Sequence, residues 1–183
     1  MVPIERAHVA AARIAGARAC TLYRRAVPLP GPLAAGFMIN DVYNTRILEL
    51  AADIPRLHRL AHPQASATAH SKLCGSTITV DLCVADGRVS DFGHDVKACA
   101  LGQASSSIMA RNVVGSTAEE LRGVRDAVRA MLKEGAAPPQ GKWADVAVLE
   151  PVRDYKARHA STLLTFDAVV KALDEIEARA GAA

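Results

Sequence analysis

The most constraining feature of the sequence is an alternating segment that ends in a sharp turn. Residues 77–84 alternate between apolar and polar side chains with a period of two, which is typical of a strand with one buried face. The dipeptide Asp86-Gly87, favoured in two-residue hairpin turns, comes next, and the chain continues from Val89 to Val96 as a returning strand. The sequence therefore predicts an antiparallel β-hairpin.

This hairpin brings together two cysteines that lie far apart in the chain. If the turn has two residues, Val84 pairs with Val89, and the same register carried to the open end sets Cys74 opposite Cys99. A β-bulge would shift the pairing by one residue but would leave both thiols at the same end of the sheet. Cys99 also lies where a strand passes into a helix, and a helix N-terminus stabilises a thiolate. Cys83, in mid-strand, is predicted to be structural.

The other apolar residues recur mostly at helical spacing. Four segments have this pattern: residues 40–54 with Asn40 and Asp41 as candidate caps, 98–114, 117–135 opened by a capping box, and 163–176. Residues 141–156 show little periodicity. Strands followed by helices predict an α+β domain, with a small antiparallel sheet of the hairpin and a third strand packed against about four helices.

Residues 1–37 are interpreted as an N-terminal extension to a domain that spans residues 38–180. The extension is rich in Ala and Arg and closes with Pro28, Pro30 and Pro32. We expect it to be disordered or to be a translated stretch upstream of the usual start. Arg enrichment would also allow an organelle-targeting peptide, although Ser is scarce.

Composition excludes several classes of function. The net charge of +3 comes from the arginines of the extension, and the rest of the chain carries slightly more acid than base. With only 4% aromatic residues, the chain lacks the basic face and the stacking platform of a nucleic-acid-binding protein. No apolar run is long enough to span a membrane. Neither a nucleophile elbow nor a phosphate-binding loop appears, which disfavours a hydrolase or a nucleotide-binding enzyme.

The four cysteines, Cys20, Cys74, Cys83 and Cys99, do not form the pattern of a secreted disulfide framework. We therefore expect a reducing, cytoplasmic location. In such a compartment, cysteines are buried fillers, metal ligands or sites of sulfur chemistry.

Four groups of residues match a known family in order and spacing. They are Tyr43-Asn44-x-x-Ile47-Leu48-Glu49 with Pro55, Cys74-Gly75-Ser76, Gly93 through Cys99 to Ala104-Ser105-Ser106-Ser107, and Arg158-x-x-Ser161-x-x-Leu164-x-Phe166. With these motifs, residues 38–175 resemble the iron–sulfur cluster assembly scaffolds that include the NifU N-terminal domain, IscU and SufU. The long stretch before Arg158 is more similar to the SufU branch, and the resemblance implies a SufE/NifU-like fold.

The resemblance also implies a metal or cluster site. In the family pattern, three cysteines and an aspartate hold a zinc ion or a nascent [2Fe–2S] cluster. Cys74 and Cys99 match two of the cysteines, whereas Ser76 stands at the aspartate position and Ser161 at the third cysteine position. A neutral hydroxyl is a poor ligand for iron or zinc, so family-type coordination would fall from four protein ligands to two. Arg158 matches a family arginine that either neutralises an anionic site or is a surface charge.

Other side chains are candidates to complete the ligand set. His159 lies two positions before Ser161, and Asp95 precedes Cys99 on the hairpin. His94 and His70 are further candidates, and imidazole suits both zinc and Rieske-type clusters. Ser161 has a plainer interpretation as the N-cap of the last helix, since Ser before an apolar helical run is a preferred cap.

The resemblance implies a scaffold that is not an enzyme and that receives iron and sulfide with the help of a cysteine desulfurase. It would pass its cluster to acceptor proteins. One alternative is a metal-free adaptor or regulatory relative, suggested by Ser76 and Ser161. Another is a sulfur-transfer protein that accepts a persulfide on Cys99, if that thiol is activated.

Overall fold

The structure is a computed structural model, and it describes residues 44–182. The elements in chain order are α1 (Thr45–Ala52), β1 (Ala65–His70), β2 (Thr77–Ala85), β3 (Arg88–Lys97), α2 (Ala100–Asn112), α3 (Ala118–Glu134), a 3-10 helical segment (Gly141–Asp154) and α4 (Lys156–Ala180). The predicted α+β class with a three-stranded antiparallel sheet is confirmed. The predicted extension and its boundary at residue 37 lie outside the described residues. Within residues 44–182, no helix combines the length and apolar character that a membrane span requires.

The sheet has the order β1-β2-β3, and its hairpin forms as the sequence predicts near the turn. Asp86 and Gly87 have φ values of 52° and 72°, which suit the twist of a two-residue hairpin turn. Val84 pairs with Val89, but a register shift follows between Cys83 and Val84. The pairing beyond that irregularity therefore differs by one residue from the uniform register and ends at the pair Thr77 and Lys97.

The first helix begins after Asn44, whose side chain accepts a hydrogen bond from the backbone N–H of Ile47 at 3.0 Å. The predicted caps Asn40 and Asp41 precede the described residues. Sequence alone did not separate them from Asn44, because each of the three is an acceptable N-cap residue. Helix α3 matches its prediction at both ends, since Thr117 caps its start and Gly135 ends it with a φ of 72°.

The start of the last helix differs from the prediction. Helix α4 begins at Lys156, five residues before Ser161, and is 25 residues long. Interpretation of Ser161 as an N-cap is therefore wrong. Its hydroxyl is inside the helix and donates to the carbonyl of Arg158 at 2.9 Å. The exposed first turn carries no apolar stripe, so the sequence pattern began only where the helix becomes buried.

The segment 141–156, which showed little periodicity, contains a run of 3-10 turns. Its buried residues, Trp143, Val146, Leu149 and Val152, recur every third position. That spacing is the period of a 3-10 helix, so one face of the segment packs on the core. The ring nitrogen of Trp143 donates to Glu120 at 2.8 Å and ties this segment to α3.

One face of the sheet packs on the helices, and the segment after α1 covers part of the other face. Asp81 lies on that second face and is 0% exposed. It accepts hydrogen bonds from Arg59 at 2.6 and 2.7 Å, from Ser66 at 2.6 Å and from the backbone of Leu60 at 2.9 Å. A buried carboxylate with this many donors anchors the crossing segment to the sheet.

Gly93 allows that segment to lie against β3. A Cβ atom at this position would lie 2.5 Å from the carbonyl oxygen of His58, which is backbone and cannot rotate away. We expect Gly93→Ala to lower the free energy of unfolding by about 1–3 kcal/mol, the usual range for forced overpacking. Urea denaturation followed by circular dichroism measures the change.

Gly123 supplies the matched control, because it is exposed in α3 and a Cβ there meets nothing within 4 Å. Gly123→Ala is expected to raise the free energy of unfolding by roughly 0.5–1 kcal/mol through helix propensity. Equal stability of Gly93→Ala and the wild type would contradict the packing assigned to the crossing segment.

Candidate functional site

Three separate segments converge at the open end of the hairpin. The first is the loop of residues 71–76, closed by backbone hydrogen bonds from Ser71 to Ser76 and from Gly75 to Ser71, both of 2.9 Å. The others are the start of α2 and the second turn of α4. A Cβ at Gly102 of α2 would lie 3.2 Å from the carbonyl oxygen of Ser161, so the two helices approach closely at that point.

Ser76 links the two predicted cysteines. Its Oγ accepts the thiol of Cys74 at 3.1 Å and the backbone N–H of Cys99 at 3.3 Å. When Cys74 loses its proton, the hydroxyl of Ser76 can instead donate to the thiolate. Both cysteines are partly exposed, whereas Ser76 is 3% exposed. The site is therefore a solvent-accessible pair of cysteines held by a buried hydroxyl.

The surroundings of Cys74 favour its thiolate. Hydrogen bonds from the hydroxyls of Ser71, at 3.3 Å, and of Ser76 lower the pKa of the thiol to about 7, against an opposing effect of burial. The hydroxyl of Ser161 contributes in the same direction and to a smaller extent. Three serines thus act on one sulfur atom.

Ser161 therefore lies at the site, although not as a helix cap. It is 0% exposed on α4, and its hydroxyl donates to the carbonyl of Arg158. The resemblance aligns Ser76 and Ser161 with two ligand positions of the family, and both residues lower the pKa of Cys74. Sequence spacing alone had aligned these positions without setting their distances.

Ser71 is a site residue that the sequence analysis did not single out. It is 2% exposed, and its hydroxyl contacts the sulfur of Cys74. The available signal was its place three residues before Cys74 and five before Ser76, in a run too short and polar to be a strand. A serine that is close to a cysteine within a tight loop is a natural hydrogen-bond partner for the thiol.

The candidate supplementary ligands occupy other positions. The Nε2 of His159 lies 2.9 Å from the carbonyl oxygen of Arg153, and Asp95 pairs with Lys97 at 3.5 Å. His94 is 0% exposed and its Nε2 lies 3.0 Å from the carbonyl oxygen of Pro55, so it belongs to the core. His70 lies 2.9 Å from the hydroxyl of Thr77. That contact lies on the sheet surface, since both residues are on the face opposite the apolar core.

Across residues 44–182, no three side chains of His, Cys, Asp or Glu are grouped closely enough to hold one metal ion. Neither His159 nor Asp95 therefore forms such a group with the two cysteines. Arg158 is exposed, and its guanidinium has no hydrogen bond or ion pair to a described residue. The donor set of the site consists of two thiols and three hydroxyls.

Cys83 lies at the other end of β2, beside the register shift, and its thiol contacts the carbonyl of His62 at 3.6 Å. Within residues 44–182, its thiol has no hydrogen bond to Ser76 or Cys74. This position agrees with its exclusion from the site on sequence grounds.

The fold and the site together define a small α+β domain with a thiol site at the open end of a hairpin. The profile of the NifU-like N-terminal domain matches residues 42–162. The chain belongs to this family of iron–sulfur cluster assembly scaffolds.

Individual relatives agree with that membership. The iron–sulfur cluster assembly scaffold protein IscU of Thermotoga maritima is 30% identical over 103 residues, which are 56% of this chain and 72% of the relative. The crystal structure of a nitrogen-fixing NifU-like protein (N-terminal) from Brucella abortus is 64% identical, has a TM-score of 0.75, and covers 77% of this chain and 98% of its own.

A more distant structure shares the fold. It is a candidate iron–sulfur cluster assembly scaffold protein of the SUF system, FiSufU, from Fervidobacterium islandicum. Its TM-score is 0.68 at 18% identity, and the match covers 74% of this chain and 98% of that one. The fold is therefore kept at low sequence identity.

The serine hydroxyls around Cys74 predict how the alkylation rate of this cysteine depends on pH. Alkylation of Cys74 by iodoacetamide needs the thiolate, so its rate should rise with pH around a midpoint of about 7 in the folded protein. In Ser76→Ala the midpoint should move to higher pH, because one donor to the thiolate is lost. Peptide mass spectrometry measures the rate at this cysteine alone.

The urea-unfolded protein serves as the reference, in which Cys74 should titrate near the ordinary value of about 8.5. Identical midpoints in the folded and unfolded chains would show that the hydroxyls do not act on the sulfur.

Proposed function

We propose that this protein is a scaffold-type carrier that holds iron or a [2Fe–2S] cluster transiently through Cys74 and Cys99. Zinc could occupy the same two thiolates. The observation that supports this most is the hydroxyl of Ser76, which contacts the sulfur of Cys74 and the backbone of Cys99. A soft metal prefers thiolates over the neighbouring hydroxyls, so both cysteines are the expected ligands.

The protonation state of Cys74 fits this role. A thiol must lose its proton before it binds a metal, and that loss costs free energy when the pKa is well above the pH. With a pKa of about 7, a large fraction of Cys74 is already thiolate at neutral pH. The site is thus prepared for a cation or for an iron–sulfur unit.

The small number of protein ligands supports transient retention of the bound iron or cluster. Two protein thiolates leave a cluster with fewer protein bonds than a four-ligand site, and hydroxyls add little for iron. Both cysteines are partly exposed, so a partner protein can reach them. We propose that a cysteine desulfurase supplies the sulfide and that acceptor proteins remove the cluster, in the cytoplasm. In this role the protein carries its cargo and does not catalyse the conversion of a metabolite.

Anaerobic reconstitution tests the carrier. Wild-type protein incubated with iron, cysteine and a desulfurase should develop the visible absorption of a cluster, whereas Cys74→Ser and Cys99→Ser should lose most of it. Cys83→Ser is the matched control and should behave as wild type, since Cys83 lies at the far end of β2. His159→Ala should also retain the absorption, because its Nε2 is engaged with Arg153.

The same experiment distinguishes the metal-free adaptor. An adaptor would bind the desulfurase in both wild type and Cys74→Ser, yet neither protein would take up iron or sulfide. Absence of bound metal in the wild type, with desulfurase binding intact, would refute the carrier.

A second candidate function is persulfide acceptance, and the structure favours Cys74 for it. Its thiolate, stabilised by Ser71 and Ser76, would attack the outer sulfur of a desulfurase persulfide. The S–S bond of the donor breaks, a new S–S bond forms on Cys74, and the donor cysteine leaves as a thiolate. No external oxidant is consumed.

Mass spectrometry after incubation with desulfurase and cysteine tests this step. The peptide that contains Cys74 should gain the mass of one sulfur atom, and Ser76→Ala should gain it more slowly at pH 7 because less thiolate is present. Cys83→Ser should react as wild type. Sulfur found on Cys99 with Cys74 unmodified would reassign the acceptor, and no added sulfur would exclude this function.

A further inference from the structure

The two edges of the sheet differ in how their backbone groups are paired. The strand order β1-β2-β3 makes β1 and β3 the edge strands. On the outer edge of β3, the N–H of Val89 donates to the carbonyl of Ser116 at 2.9 Å. Further along, the N–H of His94 donates to the carbonyl of Arg56 at 3.4 Å. Two other segments of the chain therefore cover the edge of β3.

The outer edge of β1 has no such cover. The side-chain amide of Gln64 bonds to the N–H of Val84 at 2.8 Å and to its carbonyl at 3.1 Å, so Val84 directs its backbone towards the first strand. Backbone direction alternates along β2, and the register with β1 therefore leaves the N–H and C=O groups of Ser66, Thr68 and His70 pointing outward. Within residues 44–182, none of these outward groups has a hydrogen bond. The sheet thus ends in an open edge.

This edge is held in place and carries no feature that deters pairing. Side chains tie the outward residues to β2, since Ser66 donates to Asp81 at 2.6 Å and the hydroxyls of Thr68 and Thr79 lie 2.9 Å apart. Edge strands are commonly protected by charged side chains, proline or a β-bulge. Residues 65–70 contain no Lys, Arg, Asp, Glu or Pro, and their register with β2 is uninterrupted. The strand is therefore a preformed template for one further strand.

Two complementary apolar features flank β1. Beyond its end, Leu73 projects from the loop that holds Cys74 and is 75% exposed. Before its start, a largely apolar cavity lies between the sheet and the last turns of α4. The cavity is lined by Gln64, Val84, Ile176, Arg179 and Ala180. When two β1 strands pair in antiparallel order, the residues that follow one strand lie beside those that precede the other, so each Leu73 approaches the cavity of the opposite copy.

A strand that pairs with this edge must be extended and uncharged, and an apolar side chain at its end must reach the cavity. The β1 strand of a second copy, followed by Leu73, meets these requirements. We infer that two copies of the chain pair through their β1 edges about a twofold axis at Thr68. Ser66 of each copy then lies opposite His70 of the other, and each of the three residue pairs can form two backbone hydrogen bonds. Both copies use the same patch, so the assembly closes as a dimer.

The dimer joins the thiol loop of each copy to the other copy, because Leu73 immediately precedes Cys74. A partner protein that contacts Leu73 therefore competes with dimerisation. The inference goes beyond the carrier function and requires no bound cargo, so the two can fail separately.

Sedimentation equilibrium of the full chain measures the dimer dissociation constant, in a reductant that excludes intermolecular disulfides. Thr68→Pro should raise this constant at least about tenfold, because the proline removes the central N–H donor from both copies. This N–H points away from β2, so the fold should persist, which circular dichroism checks. Thr68→Ala is the matched control, since it loses the contact with Thr79 but keeps the N–H, and it should dimerise as the wild type does.

Leu73→Ser tests the contact with the cavity. Loss of the buried apolar side chain should raise the dissociation constant about tenfold. Leu57→Ser is the control, because this leucine is also exposed, at 56%, but lies on the segment that covers the opposite face of the sheet. It should leave the dimer unchanged.

Amide hydrogen exchange locates the interface within the strand. The N–H groups of Ser66, Thr68 and His70 should exchange more slowly in concentrated than in dilute protein, because they become bonded only in the dimer. Those of Ala67 and Ala69 are bonded to β2 and should be protected at both concentrations.

Three outcomes would contradict the inference. One is a wild type that stays monomeric up to millimolar concentration. Another is a dimer whose dissociation constant is unchanged in Thr68→Pro and Leu73→Ser, since a different surface then forms it. The third is a monomeric wild type in which Thr68→Pro weakens binding to a desulfurase, because the β1 edge then receives a strand of that partner and not of a second copy.

Discussion

The close approach of α2 and α4 is the constraint on which the site depends. Gly102 lacks a Cβ, which would otherwise lie 2.8 Å from the Cβ of Ala98 and 3.2 Å from the carbonyl oxygen of Ser161. With this contact, the start of α2 and the second turn of α4 meet the loop that carries Cys74. The small residues of α2 are buried for the same reason, and the hydroxyls of Ser105 and Ser106 donate to carbonyls of their own helix. The close packing of α2 against α4 therefore sets the geometry of the thiol site.

The serines at the site affect the charge state of Cys74 differently from negatively charged ligands. In the pattern that the family resemblance implies, a carboxylate and a third thiolate would bind the cargo directly and would also repel a neighbouring thiolate. Ser76 is neutral, and its hydroxyl acts with that of Ser71, which has the larger effect, to stabilise the thiolate and lower the pKa of Cys74. Relative to that implied pattern, two hydroxyls would ligate the cargo more weakly, while the lowered pKa of Cys74 leaves more of it as thiolate at neutral pH. Carrier and persulfide acceptor are both consistent with such a sulfur atom.

Much of the fold followed from patterns that depend on local geometry. The hairpin turn at Asp86-Gly87 and the α3 caps were predictable because each is specified by a few adjacent residues. The convergence of Cys74 and Cys99 followed from the hairpin, and it survives the register shift. The 3-10 segment was missed because its period of three, seen at Trp143 and Val146, matches neither the α-helical period of 3.6 nor the strand period of two. The position of Ser161 inside α4 depended on tertiary packing, which no local signal encodes.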